Sequence, residues 1–175
     1  MIFLYILLII VAVLFILTLV APKNYKVSRS VQIDKPISEV FEYIKHVKNQ
    51  DHWSPWKKRD PGMKQTFTGE DGKIGFVSRW ESDHKQVGHR EQEIIKIEEG
   101  KLMESELRFL KPFKSTSNGF FHTKEANGGT EVTWGFYGSH KAPMNVMMMF
   151  FNMEKAVGKD FEEGLADLKS TLENN

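Results

Sequence analysis

From Pro143 to Leu172, apolar residues return every three or four positions: Val146, Phe150, Met153, Val157, Phe161, Leu165, Leu168 and Leu172. This spacing sets them along one side of an α-helix, with Glu154, Lys155, Lys159, Asp160, Glu162, Glu163, Asp167 and Lys169 on the other. At about 1.5 Å per residue the rod is on the order of 40 Å long, and its stripe needs a cover. The first third, Met144–Met153, is apolar nearly all round and rich in methionine, which adapts to irregular shapes. Two readings stay open there: a helix end buried on every side, or a deformable wall of an apolar cavity.

The preceding residues alternate instead. Tyr25–Ile33 (YKVSRSVQI) predicts a first strand, ended by Asp34-Lys35-Pro36. Pro36 fits the first turn of a helix running through Val40, Phe41, Ile44 and Val47. Asn49–Trp56 reads as a polar turn, with Trp53 and Trp56 plugging one end of a core. Strand-like runs follow at Met63–Thr68, Lys73–Ser82, Lys85–Ile97, Lys101–Phe109, Ser115–Glu125 and Thr130–Ser139. Short strands joined by tight turns predict an antiparallel meander, seven-stranded with the first. The expected class is α+β, a curved sheet around the carboxy-terminal helix.

Two turns set expected registers. Glu98-Glu99-Gly100 suits a type I turn with Gly100 left-handed. Val87, His89, Glu91, Glu93, Ile95, Met103, Ser105, Leu107 and Phe109 then share the inner face, leaving Arg90, Gln92, Lys96, Glu104, Glu106 and Arg108 to solvent. Asn127-Gly128 suits a type I′ turn, which sets Lys124 opposite Glu131 and Phe121 opposite Trp134. Gly119, Thr123, Val132 and Phe136 join that pair inside.

Ile2–Val20 has no charged residue and only Tyr5 and Thr18 as polar groups. As a helix this run spans roughly 28 Å, near the ~30 Å of bilayer hydrocarbon. A secretory signal usually has a basic start and a shorter apolar core, and Pro22 reads as a helix stop rather than a cleavage site. The expectation is a retained single-pass anchor at 1–22 and a folded domain at 23–175. Lys23, Lys26 and Arg29 follow the span, so the domain is expected to face the cytoplasm.

Composition narrows the chemistry. The 175 residues carry 24 Lys+Arg against 23 Asp+Glu and no cysteine. A net charge of +1 gives no pull towards nucleic acid, which is not expected as a partner. Thiolate chemistry and disulfides are excluded. The histidines His46, His52, His84, His89, His122 and His140 show no metal-ligand spacing, and no nucleophile elbow or phosphate loop occurs. Neither a metal nor a cofactor is expected. His89, Glu91 and Glu93 form the polar group to watch. Glu91 among Trp80, Leu107 and Phe109 would be a candidate general acid or base; otherwise this face is wet at the sheet's open end, or the register is off by one. Lys57-Lys58-Arg59-Asp60 reads as a solvated loop rather than a headgroup-binding patch.

The element order resembles the helix-grip fold of the START/Bet v 1-like superfamily (SRPBCC), most closely its bacterial polyketide cyclase/dehydrase-like branch. The likeness is carried by Val31–Ile44 (VQIDKPISEVFEYI), Trp53–Trp56 (WSPW), Gly128–Trp134 (GGTEVTW) and Val157–Lys169 (VGKDFEEGLADLK), and it covers Tyr25 to Leu172. It implies a deep cavity between sheet and long helix for lipids, sterols, polyketides or other apolar molecules. No catalytic residue carries over, because the fold hosts carriers, cyclases and co-chaperones alike. The candidate ligand-binding set is Trp80, His89, Glu91, Leu107, Phe109, Phe121, Trp134, Phe136, Met147, Phe150 and Met153. The leading expectation is a membrane-anchored protein that holds an apolar small molecule or lipid. One alternative is a cyclase or dehydratase acting through Glu91 or His89. The other is an interaction domain with an apolar patch at Phe150-Phe151 or Trp53–Trp56.

Overall fold

In the computed structural model, which describes residues 2–111, 114–150 and 152–174, the chain opens with α1 (Ile2–Val20) and β1 (Asn24–Ile33). Helix α2 (Ile37–Lys45), a 3-10 turn (Val47–His52) and α3 (Pro55–Arg59) come next. Six strands follow: β2 (Lys64–Thr68), β3 (Val77–Glu81), β4 (His89–Glu98), β5 (Leu102–Lys111), β6 (Ser115–Ala126) and β7 (Gly129–Ser139). Helices α4 (Met144–Met148) and α5 (Met153–Glu173) close the chain. The sheet runs β1-β7-β6-β5-β4-β3-β2 with every neighbour antiparallel, so β1 and β7 join the ends of the folded domain.

Helix α5 lies across the sheet and buries Phe161, Leu165, Leu168 and Leu172, the later part of the expected stripe. Helix α2 buries Val40, Phe41 and Ile44 against the same core. Burying each such side chain contributes about 1.5–3 kcal/mol. The Asn127-Gly128 turn forms as expected, with φ of 49° and 80°, and it pairs Lys124 with Glu131 and Phe121 with Trp134.

Three expectations need correction. The long final helix is two helices, because Asn152 caps α5 with its side chain, which accepts from the Lys155 N–H at 2.8 Å. A side-chain acceptor at that point satisfies one of the orphan donors of a helix start. Val146 therefore belongs to α4, Phe150 lies between the helices, and Phe151 lies outside the described residues.

The second correction is to β4. Its pairing with β5 slips between Ile94 and Lys96, leaving Ile95 as an extra, exposed residue. A bulge shifts the two-residue alternation by one. Ile94, Gln92 and Arg90 turn inwards opposite Ser105, Leu107 and Phe109, while Glu91 and Glu93 face out opposite Arg108 and Glu106. The β5 faces stand as expected; those of β4 are inverted from Arg90 to Ile94, while Lys96 beyond the bulge faces solvent as expected.

The third concerns Lys57-Lys58-Arg59-Asp60, which is not a solvated loop. Lys57–Arg59 form most of α3, Lys58 pairs with Asp167, and Arg59 grips Asp160 at 2.5 and 2.9 Å, fastening α3 to α5.

Helix α1 is long and apolar enough to cross a membrane, with a mean hydropathy of 3.3 and none of it buried against the domain. Arg29 is not a free charge beside it: its guanidinium is held by Glu154 and Glu162 on α5.

Candidate functional site

The sheet curves away from the amino-terminal half of α5 and encloses, with α3 and the 3-10 turn, a cavity of about 420 Å³. That volume falls within the roughly 300–1,000 Å³ of small-molecule sites. Its inner end is aromatic. Phe121 stacks on Trp134 with centroids 5.3 Å apart, Phe161 of α5 lies 4.5 Å from Trp134, and Phe136 meets Phe161 edge-on at 5.8 Å. Trp56 closes this end, edge-on to Trp134 at 5.5 Å. The β6–β7 register aligns these rings, and the α5 stripe brings Phe161 down on them.

Two rows of side chains cross β3, β4 and β5 on the cavity side. One is Trp80, Arg90 and Phe109; the other is Ser78, Gln92 and Leu107. Gln92 donates from Nε2 to Ser105 Oγ at 3.2 Å, so this wall holds a satisfied polar pair in apolar surroundings. Arg90 lies over the Phe109 ring at 4.8 Å and donates from Nη2 to the Gln86 carbonyl at 3.1 Å. Burial pulls the Arg90 guanidinium down to about 10, which leaves it a cation at neutral pH.

Of the residues expected around a ligand, Trp80, Leu107, Phe109, Phe121, Trp134, Phe136 and Met153 line the cavity. Glu91 reaches its edge, but its carboxylate is engaged by Arg79 at 3.2 Å and Arg108 at 3.5 Å on the outer face. Arg90 takes the place between Trp80 and Phe109 that Glu91 was expected to hold. His89 is not among the walls, and it pairs in register with Lys111. Met147 and Phe150 are also outside, 63% and 86% exposed, because the break before α5 turns α4 away from the sheet. Trp53 is fully buried, packed edge-on against Phe121 and Trp134, so Trp53–Trp56 forms no outer patch. Arg90 and Gln92 were missed, since only the bulge at Ile95 brings β4's polar residues inside and nothing in a two-residue period signals it, whereas Ser78 follows from its alternation with Trp80 on β3.

At the opposite end of α4, the Asn145 side chain is buried and donates to Thr18 and Ala21 carbonyls at the end of α1. Around it Met144, Met147, Met149 and Phe150 stand exposed.

A model of the family described as "Polyketide cyclase / dehydrase and lipid transport" matches residues 24–173. Among solved structures, a Staphylococcus aureus protein of unknown function aligns with a TM-score of 0.64 at 11% identity, covering 87% of this chain and 95% of that one. An uncharacterized Rhizobium leguminosarum protein gives 0.63 at 14% identity, covering 87% and 97%. The Aha1 dimer of Colwellia psychrerythraea gives 0.54 at 14%, covering 85% and 96%. Identities this low express a shared fold. No curated protein matches the chain. Because the family model runs from the start of β1 to the last turn of α5, the chain belongs to the polyketide cyclase / dehydrase and lipid transport family, a helix-grip domain of the hydrophobic-ligand-binding kind.

Proposed function

We propose that this protein holds one hydrophobic small molecule between the sheet and α5 while α1 keeps the domain beside a membrane. The observation that carries the reading is the cavity of about 420 Å³ with an aromatic inner end. Helix α1 adds the second half. It has no charge, a length near the bilayer's, and no buried face. Asn145 ties α4 to the last turn of α1, so the exposed Met144, Met147, Met149 and Phe150 lie where the span would leave the hydrocarbon. Lys23, next to that point, agrees with a domain on the cytoplasmic side.

The test is mass spectrometry of small molecules retained by the full chain purified in nanodiscs. Wild type retains an apolar compound, and Leu107→Trp, which grows into the cavity, loses it. Absence of any retained compound, together with failure of added apolar probes to bind, overturns the reading.

Chemistry on the bound molecule is the second reading, and the family description favours it. The wall offers donors in Arg90, Gln92 and Ser105. Of the carboxylates on the cavity wall, Glu91 and Asp160 are each held by arginine, while Asp51 accepts from Gln65 Nε2 at 2.8 Å and has no arginine among the described residues. Catalysis would act by orienting a chain and stabilising developing negative charge, with Asp51 the wall carboxylate that no arginine holds. A reactive poly-β-ketone whose spontaneous cyclisation products keep the same ratio with and without the protein would remove it.

A further inference from the structure

The five arginines of the chain are Arg29, Arg59, Arg79, Arg90 and Arg108. Four have carboxylate partners: Arg29 has Glu154 and Glu162, Arg59 has Asp160, Arg79 has Glu81 and Glu91, and Arg108 has Glu91, Glu93 and Glu106. Of the five, Arg90 alone has no ion pair among the described residues, yet it lies on the cavity side of the sheet over Phe109. The acidic group that acts on it from α5, Asp160, is already gripped at two points by Arg59. In the same row the Trp80 indole N–H is fully buried and has no acceptor among the described residues. This end of the cavity therefore carries a positive charge that no carboxylate among the described residues pairs, while the other end is Phe121, Trp134, Phe136 and Phe161.

Burying a cation without its counter-charge is unfavourable, and a planar guanidinium matches the two oxygens of a carboxylate. We propose that the cavity's ligand is a hydrophobic carboxylic acid, its carboxylate on Arg90 and its apolar body against the aromatic end. The inference rests on the cavity being a ligand site and adds the charge of what fills it. The Phe109 ring lies 4.8 Å from the guanidinium and the Gln86 carbonyl takes one of its N–H groups, so Arg90 is positioned before a ligand arrives.

The experiment compares 2-naphthaleneacetate with its primary amide, which has nearly the same shape and no charge, by calorimetry on the full chain in nanodiscs. Wild type binds the carboxylate at least about tenfold tighter than the amide. Arg90→Gln brings the two within about twofold of each other, chiefly by weakening the carboxylate, and Arg90→Lys keeps part of the preference by keeping the charge. A wild-type protein that binds both equally, or an Arg90→Gln variant that still prefers the acid, overturns the assignment and leaves the cavity reading standing. Binding of neither probe overturns both.

Discussion

The Asn145 side chain donates from Nδ2 to the Thr18 carbonyl at 3.0 Å, across more than a hundred residues of sequence, and reaches the Ala21 carbonyl at 3.3 Å. It satisfies backbone acceptors that the end of α1 leaves open, so the span and the folded domain are joined by more than the chain between them. Asn145→Ala removes both bonds, each contributing about 1 kcal/mol. In nanodiscs, trypsin should then cut after Lys23 several-fold faster than in wild type, with the domain's own unfolding unchanged.

The exposed side of α4 should lie in the membrane interface. Since the chain has no cysteine, Met147→Cys introduces a single labelling site. An environment-sensitive fluorophore there should emit to the blue in nanodiscs and be quenched by lipids brominated near the headgroup. The same dye on Glu125→Cys, at the far turn of the sheet, should show neither effect. Equal emission from the two sites would detach α4 from the bilayer.

Two glycines of α5 should respond to alanine with opposite results. A Cβ on Gly164 would come within 2.6 Å of the Trp134 ring and 3.0 Å of Pro55, both fixed in the core. Overpacking there should cost about 1–3 kcal/mol, more than the ~1 kcal/mol gained in helix propensity. At Gly158 the added Cβ meets the end of the Arg29 side chain, which can move only by loosening its pairs with Glu154 and Glu162, partly exposed contacts of small net worth. Gly158→Ala should fall within about 0.5 kcal/mol of wild type or above it. Urea midpoints of the two variants check the contrast.

His140 should make stability fall in mild acid. Its ring stacks on Tyr25 at 4.6 Å, its Nε2 is buried without a partner, and burial holds its pKa below the ordinary imidazole value. The unfolded chain therefore takes up the proton first, at about 6.5, and stability declines as pH falls from there through the lower folded-state value. His140→Phe should flatten the loss between pH 7 and 5 in thermal scans.

Local chemistry was readable along the chain where it decided the outcome alone. Asn127-Gly128 could adopt the two left-handed conformations of a tight turn, and from that pair the whole β6–β7 register followed. The stripe from Val157 to Leu172 likewise needed only helical spacing. What escaped depended on distant partners or on one residue out of step. Asn152 looks like any polar residue in an apolar run until its side chain meets the Lys155 N–H. Lys58 and Arg59 read as solvated until Asp167 and Asp160 arrive from a hundred residues on. Arg90 was placed in solvent because the alternation counted back from Gly100 passes through Ile95.

That surplus residue makes β4 unevenly tolerant of shortening. Excising Ile95 would close the ladder between Ile94 and Lys96 with each already opposite its present partner, so Arg90 would stay within. Excising Glu93, two positions earlier, would rotate everything before it by half a turn, carrying Glu91 into the interior and Arg90 to the surface. One deletion would leave the lining cationic and the other would make it acidic, which means that kinship between such domains near this strand must be judged by pleat rather than by residue count.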